Sequence, residues 1–376
     1  MSNNSFIAAK RRPLSILFAV VISAALLFTA CASKPAADTT TYTAVTGAAS
    51  VVDKYGNITT DIPAAALTGA GYELGDMLSV TAGSFKGNAP LVDTYSDVNR
   101  GEVLVRLSDG FVAVAISYGN MGEKGGISVG TPITLEMAGK GAYKTEYEIR
   151  HLVRTENRAD YSSDAVFANF REVRVGKIAP NTLYRSSNPA MGDARAPYTS
   201  ALAEQAGIKT VINLADSQEE LKTKAPTSPW YQGMVNKGSV ISLNMGVDFE
   251  SPDFAPKLAE GLRFMISHEP PYLVHCNEGK DRAGIVSALF EAIMGATTKE
   301  ISEDYMVTYM NYYHVKKDEA RYPVISQIIL DIFKTMNGGK AVTDSNIQKV
   351  AETYLTKSVG LTSQELSTLK ARLGGK

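Results

Sequence analysis

Two side chains that often decide a protein's chemistry are scarce in this sequence. Cysteine occurs only at positions 31 and 276, and histidine only at 151, 268, 275 and 314. So few cysteines exclude a disulfide scaffold. The histidines lack ligand spacing of the H-E-x-x-H kind, so neither a metal nor any other cofactor is expected. Charge of one sign is not in excess either: the formal net charge is −1 over 376 residues. Nucleic-acid binders carry a basic field, and nucleic acid is therefore not an expected partner. What remains is ordinary globular composition, 44% hydrophobic and 20% charged, at a length that favours two domains.

The one long apolar run is Leu14 to Phe28, preceded by Lys10, Arg11 and Arg12. At about 15 residues it has the length of a signal-peptide core and is short for a membrane span. It ends in Leu27-Phe28-Thr29-Ala30-Cys31. That string resembles a bacterial lipobox, in which a small residue precedes a cysteine that is diacylated and becomes the first residue of the mature protein. Phe28 departs from the usual aliphatic residue. The resemblance implies a signal peptide over 1–30, lipidation of Cys31, export, and a lipid anchor at the extracytoplasmic face of a bacterial membrane. The alternative is a plain N-terminal membrane helix. Residues 31–47, rich in Ala, Thr, Ser and Pro, read as a flexible tether. With Cys31 lipidated, Cys276 is left as a free thiol in an exported protein, a pattern that marks a reactive group.

Residues 48–138 read as a small all-β domain. Short apolar runs, among them Met77-Leu78-Ser79-Val80, Val103 to Leu107, Phe111 to Ile116 and Pro132 to Leu135, alternate with Gly, Asn and Asp. Such spacing predicts an antiparallel barrel or sandwich. The stretch Val52-Asp53-Lys54-Tyr55-Gly56-Asn57-Ile58-Thr59-Thr60-Asp61-Ile62 resembles the opening of the C-terminal β-domain of S-adenosylmethionine hydroxide adenosyltransferases. Thr94-Tyr95-Ser96-Asp97-Val98, Ser108-Asp109-Gly110 and Gly119-Asn120 continue the resemblance in order. That family's catalytic domain has no counterpart here, so the resemblance implies a scaffold or a binding surface, not the activity.

Residues 150–376 follow a polar connector and change pattern. Strand-like Thr210 to Leu214, Ser239 to Leu243 and Tyr272 to His275 alternate with helical stretches at Tyr198–Ala206, Phe254–Ser267 and Gly284–Met294. The alternation predicts an α/β domain with a mainly parallel sheet and flanking helices. A helical C-terminus follows: Lys299–Tyr313, Pro323–Met336, Ser345–Ser358 and Ser363–Leu373, with Pro323 at the first helical position and a Thr362/Glu365 capping box.

The chemistry concentrates in Val274-His275-Cys276-Asn277-Glu278-Gly279-Lys280-Asp281-Arg282-Ala283-Gly284. An apolar strand ends at Cys276, a polar loop follows, then a helix. In that context backbone N–H groups converge on an anion at a helix N-terminus. A thiol facing a helix N-terminus and a guanidinium is held as the thiolate, which attacks phosphorus well. The backbone of Asn277, Glu278, Gly279, Lys280, Asp281 and Arg282 is the candidate phosphate cradle. Arg282 adds a planar fork able to bind two oxygens at once, which lysine cannot do. Gly279 permits a turn that a side chain would block. Lys280 either adds charge for a multiply phosphorylated substrate or pairs with Asp281 or Glu278.

The H-C-x-x-G-K-x-R-x-G string on a strand–loop–helix resembles the signature of the protein-tyrosine and dual-specificity phosphatase superfamily, in its bacterial form and its lipid-phosphatase branch. Phe170-Arg171-Glu172-Val173, Leu183-Tyr184-Arg185-Ser186-Ser187 and Gly207 to Leu214 resemble the strands that open the same domain. The resemblance implies a phosphocysteine intermediate on Cys276, Arg282 as phosphate clamp, and an Asp upstream that protonates the leaving group. Asp248 fits that place best, Asp253 is second, Asp281 inside the loop is third and Asp216 fourth. It also implies a phosphorylated protein, lipid or inositol substrate. One position departs: Ala283 stands where the superfamily usually has Thr or Ser, which helps the phosphocysteine hydrolyse. Slower turnover is expected, with Ser287 one helical turn on as partial compensation. The rival is a phosphate-binding lipoprotein without turnover. An arsenate-reductase-like thiol enzyme is disfavoured, because that chemistry commonly wants further cysteines.

Overall fold

The computed structural model describes residues 41–376. The expected signal peptide, the lipobox-like string with Cys31 and most of the expected tether lie outside the described residues. Two compact units divide the described residues, the first ending at Arg150 and the second running from His151 to Lys376.

The first unit is a closed barrel of seven strands. They are β1 (Val45–Val52), β2 (Ile58–Pro63), β3 (Met77–Ala82), β4 (Phe85–Val92), β5 (Val103–Ser108), β6 (Phe111–Ile116) and β7 (Pro132–Gly139). The order around the barrel is β1-β2-β6-β5-β4-β3-β7, and β7 pairs back onto β1. Side chains alternate as a barrel wall requires: Leu78, Val80 and Ala82 of β3 are buried while Met77, Ser79 and Thr81 are half-buried. All pairings are antiparallel except β4 with β5, which is parallel. The expected purely antiparallel arrangement is corrected there, since the β4–β5 connection crosses over instead of making a hairpin. Two short helices, α1 (Ala64–Gly69) and α2 (Met121–Gly125), decorate the barrel. The expected polar connector is partly helical: α3 (Lys144–Arg150) belongs to this unit. Tyr143 and Tyr147 pack against Val92, Val98, Leu104 and Ala115, and Arg150 donates to the Ser96 carbonyl and to Asn99 Oδ1.

In the second unit α4 (Asp164–Phe167) precedes β8 (Arg171–Glu172) and β9 (Leu183–Ser186). Then come α5 (Ala196–Gln205), β10 (Thr210–Asn213), α6 (Gln218–Lys224), α7 (Pro229–Asn236), β11 (Val240–Ser242), α8 (Phe254–Ser267) and β12 (Tyr272–His275). The sheet order is β11-β10-β12-β9-β8, with β8–β9 antiparallel and the other pairings parallel. This is the mainly parallel α/β layer read from the sequence. As the central strand β12 is covered on both faces, all four of its residues are buried, the reason it reads as a continuous apolar run.

The helical remainder is α9 (Asp281–Ile293), α10 (Thr298–Tyr313), α11 (Arg321–Met336), α12 (Ile347–Thr353), extended by a π turn at Tyr354–Ser358, and α13 (Ser363–Leu373). Thr362 and Glu365 form the expected capping box on α13. Pro323 falls at the third helical position, because α11 starts at Arg321. A proline is tolerated there too, since the first-turn N–H has no intrahelical partner. α9 begins three residues earlier than its apolar pattern suggested, which draws Asp281 and Arg282 into its first turn.

Candidate active site

Cys276 follows the central strand at its carboxyl end, where open α/β sheets bind ligands. It is a free thiol, 2% exposed. Asn277 to Lys280 cross from β12 to α9, and their carbonyls are all drawn away by groups outside the loop. The Asn188 N–H donates to the Asn277 carbonyl at 3.0 Å. Asn169 Nδ2 donates to Glu278 at 3.1 Å, and Arg185 Nη2 to Gly279 at 2.8 Å and Lys280 at 3.3 Å. Among the described residues, no acceptor meets the N–H groups of Asn277, Glu278, Gly279 or Lys280. Consecutive free amides ahead of a helix N-terminus make an anion-binding concavity.

Glycine is required twice over at 279. Its φ is +70°, and a Cβ there would stand 2.3 Å from the Ser186 carbonyl oxygen. Gly284 lets α9 approach its neighbours: a Cβ would lie 3.0 Å from the Tyr305 ring and 3.2 Å from Arg185 Nη2.

Arg282 Nη1 donates to the Met245 carbonyl at 2.9 Å, which ties the loop carrying Asp248 to the start of α9. Its buried Nε has no partner among the described residues. Asp248 lies three residues beyond that tie and accepts the Glu250 N–H at 3.0 Å. Asp281 is half-exposed beside Arg282, with Lys280 Nζ 3.9 Å away. Burial pushes the Asp281 carboxyl up; Lys280 pulls it back and Glu278 opposes that pull, leaving it above the ordinary value.

The other two carboxylates are poorly suited to donating a proton. Asp253 is salt-bridged to Lys257 at 2.6 Å, and that partner, with Ser251, holds its carboxyl down. Asp216 is buried, which alone would raise it, but donors from Lys224, Asn213 and Asn188 prevail and keep it ionised. Its bond to Asn188 reaches the Cys276 loop, because the Asn188 N–H is the donor to Asn277.

His275 is wholly buried, with Nε2 2.9 Å from the Tyr231 hydroxyl and Nδ1 3.4 Å from the Cys276 carbonyl. Burial lowers its pKa to about 4, so the ring is neutral at pH 7. Lys280 stands 3.3 Å from Glu278 and donates to the Tyr313 hydroxyl, with the Tyr309 and Tyr313 rings beneath its ammonium group. Tyr305, Tyr309 and Tyr312 are buried in packing. Ala283 is buried, and Ser287 Oγ, one turn on, is buried without a partner among the described residues. No three His, Cys, Asp or Glu side chains among the described residues converge as metal ligands.

Four residues of this arrangement were not singled out from the sequence: Asn169, Arg185, Asn188 and Asp304, whose Oδ2 accepts from Arg185 Nη1 at 2.8 Å. Arg185 carried a signal, a lone charge within a short strand-like run. Asp304 carried none, since a carboxylate on a tyrosine-rich helix reads as solvated.

A cysteine at the tip of a central parallel strand, a loop of free amides and an arginine in the next helical turn define a cysteine-type phosphatase domain. The chain belongs to the tyrosine phosphatase family, which matches residues 166–375, more than half of its length. The C-terminal domain of SAM hydroxide adenosyltransferases matches residues 47–134. No curated protein matches the chain. An uncharacterised conserved protein from Thermotoga maritima is 27% identical over 24% of this chain and 35% of its own, with a TM-score of 0.24. A conserved hypothetical protein from Thermus thermophilus is 25% identical over 24% of this chain and 34% of its own, TM-score 0.20. The chain thus spans about a third of the length of these two structures. The core catalytic domain of the PP-IP phosphatase SIW14 from S. cerevisiae is 19% identical over 46% of this chain and 93% of its own, TM-score 0.27.

Proposed function

We propose that the protein hydrolyses phosphate monoesters through a phosphocysteine on Cys276. The observation that carries the reading is the loop itself: four consecutive carbonyls engaged from outside, four amides left free, and Arg282 Nε buried without a partner beside them. A buried donor left unsatisfied costs about 1–3 kcal/mol. A phosphate oxyanion would satisfy these donors, and its three equatorial oxygens match the converging N–H groups. Arg282 keeps Nη1 on Met245 and offers Nε and Nη2 as the fork.

In the first step the Cys276 thiolate attacks phosphorus and the P–O bond to the leaving alcohol breaks. A carboxylic acid delivers its proton to that oxygen. Asp281 is the donor of choice, since it stands in the loop beside Arg282 and burial raises its carboxyl. Asp248, on the segment held by Arg282, is the alternative. In the second step water attacks the phosphocysteine, the carboxylate takes the water's proton, the S–P bond breaks and inorganic phosphate leaves. The substrates are phosphate monoesters of protein, lipid or inositol, met outside the cytoplasm by an exported protein anchored through lipid on Cys31. That placement rests on the lipobox-like residues; among the described residues no helix is long and apolar enough to cross a membrane.

A second reading has one observation in its favour: Ala283 lacks the hydroxyl that assists the second step. The domain would then bind phosphate esters without turning them over. Purified mature protein with p-nitrophenyl phosphate decides. The phosphatase reading expects turnover in EDTA, inhibition by vanadate, and a loss on the order of 10⁴-fold or more in Cys276→Ser. Turnover that survives Cys276→Ser overturns it. Phosphate binding with no turnover in the unaltered protein selects the second reading, and a panel of phosphopeptides, phosphoinositides and inositol phosphates ranks substrates.

A further inference from the structure

Against the loop lies a cluster of four ionisable side chains from four elements, three of them buried and Arg171 partly so. Arg171 is on β8, Arg185 on β9, Glu291 on α9 and Asp304 on α10. Arg185 is 1% exposed. Its Nη1 donates to Asp304 Oδ2 at 2.8 Å, while Nη2 reaches the Gly279 and Lys280 carbonyls. Arg171 grips the same Asp304 from the other side, Nε to Oδ1 at 3.0 Å and Nη2 to Oδ2 at 3.2 Å. Neither oxygen of the buried Glu291 accepts a hydrogen bond from a described donor. Burial, and then Asp304, push the Glu291 carboxyl well above its ordinary range. Burial works to raise Asp304 as well, but Arg171 and Arg185 prevail and keep it ionised.

Burial and the neighbouring Arg171 act to lower Arg185, while Asp304, Glu291 and Cys276 act to raise it, so the arginine and the sulfur lie in each other's field. Asp281 feels Arg185 too, and Gly284 and the Tyr305 ring close the space around its Nη2.

We propose that Arg185 is a positioning residue for the phosphatase chemistry: its guanidinium, held by Asp304, draws the Gly279 carbonyl, and with the Gly284 N–H the Lys280 carbonyl, away from the anion site, and its charge lies behind the sulfur and the phosphate. The inference rests on Cys276 being the nucleophile. Arg185 is closed off from solvent. Arg185 thus orients part of the loop's backbone and places a guanidinium beneath it. Lysine cannot replace it fully, because one ammonium group does not span two carbonyls and Asp304 in a plane.

The test is the pH dependence of Cys276 alkylation by iodoacetamide, with and without vanadate, in the unaltered chain, Arg185→Met and Arg185→Lys. Thermal melting and near-UV circular dichroism check folding; Asp304 keeps Arg171 as partner in both variants. Folded Arg185→Met is expected to move the alkylation midpoint up by about one pH unit or more. It should lose vanadate protection and lower kcat/KM on the order of 100-fold. Arg185→Lys should recover most of the midpoint but not the protection. A folded Arg185→Met with unchanged midpoint, protection and kcat/KM overturns the inference. If Arg185→Met does not fold, Arg185→Lys decides: weakened protection supports the inference and full protection overturns it. If the unaltered chain itself shows neither an ionising Cys276 nor vanadate protection, the nucleophile reading fails and takes this inference with it. Failure confined to the variants leaves the nucleophile reading standing.

Discussion

The barrel and the phosphatase unit bury different kinds of side chain. The barrel's interior is aliphatic, with Ile58, Leu78, Val80, Val105, Val114 and Leu135 at its centre. Its buried polar groups hold backbone: Thr60 Oγ1 donates to the Val112 carbonyl, Asp76 accepts from the Glu73 and Gly141 amides, and Asp97 accepts from Asp93 and Thr94. The phosphatase unit buries Arg185, Arg195, Asp216, His275, Glu291 and Asp304. Arg195 serves local packing through the Phe167 and Thr155 carbonyls. The other five lead to the Cys276 loop. Burying an ionisable group costs several kcal/mol unless it is well partnered. A fold that carries five of them around one loop is organised for that loop's electrostatics, whereas the barrel's polar groups are explained by its turns.

The largest expected effect comes from breaking the loop's shape. Gly279→Ala sets a Cβ 2.3 Å from the Ser186 carbonyl in a left-handed backbone. The contact is with backbone, so the loop must move. A destabilisation of about 3 kcal/mol and a fall in kcat/KM on the order of 100-fold are expected. Urea unfolding and p-nitrophenyl phosphate kinetics measure them. A variant with unchanged stability and activity would remove the loop from its place in the comparison.

What the sequence conveyed follows the same division. Strand alternation made the barrel legible, because inward Leu78 and Val80 differ in kind from outward Ser79 and Thr81. β2 and β4 were missed, because Thr, Asp, Gly, Asn and Pro interrupt their apolar residues. In the second unit the strand–loop–helix around Cys276 was legible because its residues adjoin in sequence. The support beneath it was not: Asn169, Arg185 and Asp304 come from three distant segments, and only folding brings them to one loop.

His275 sharpens the contrast through pH. Its ordinary pKa of 6.5 falls to about 4 in the folded chain. Between these values the unfolded chain binds the proton that the folded one refuses. Its contribution is therefore whole above pH 6.5 and is lost as pH falls toward 4, by roughly 3 kcal/mol at the lower end. Denaturant midpoints of the phosphatase unit should fall over this window, and His275→Gln should flatten the fall. An unchanged slope in His275→Gln would assign the acid limb to other groups. Ala283→Ser probes the chemistry more gently. The added hydroxyl restores a donor beside the phosphocysteine, and turnover should rise several-fold, on the order of 1 kcal/mol in barrier. Pre-steady-state bursts should shrink as the second step quickens; an unchanged burst would show that this step does not need the hydroxyl.

The smallest effect belongs to the barrel. Gly101 has φ +87°, and a Cβ there would meet nothing within 4 Å. Gly101→Ala thus isolates the conformational cost that Gly279→Ala combines with a collision. A left-handed alanine costs about 1–2 kcal/mol, and restricting the unfolded chain returns about 0.4–1 kcal/mol. A net loss of roughly 1 kcal/mol is expected in urea unfolding of the barrel, with p-nitrophenyl phosphate turnover unchanged. The difference between the two glycine variants then measures the close approach of the loop to Ser186. If Gly101→Ala proves as costly as Gly279→Ala, backbone conformation alone accounts for both, and the tight seat beneath the Cys276 loop contributes nothing of its own.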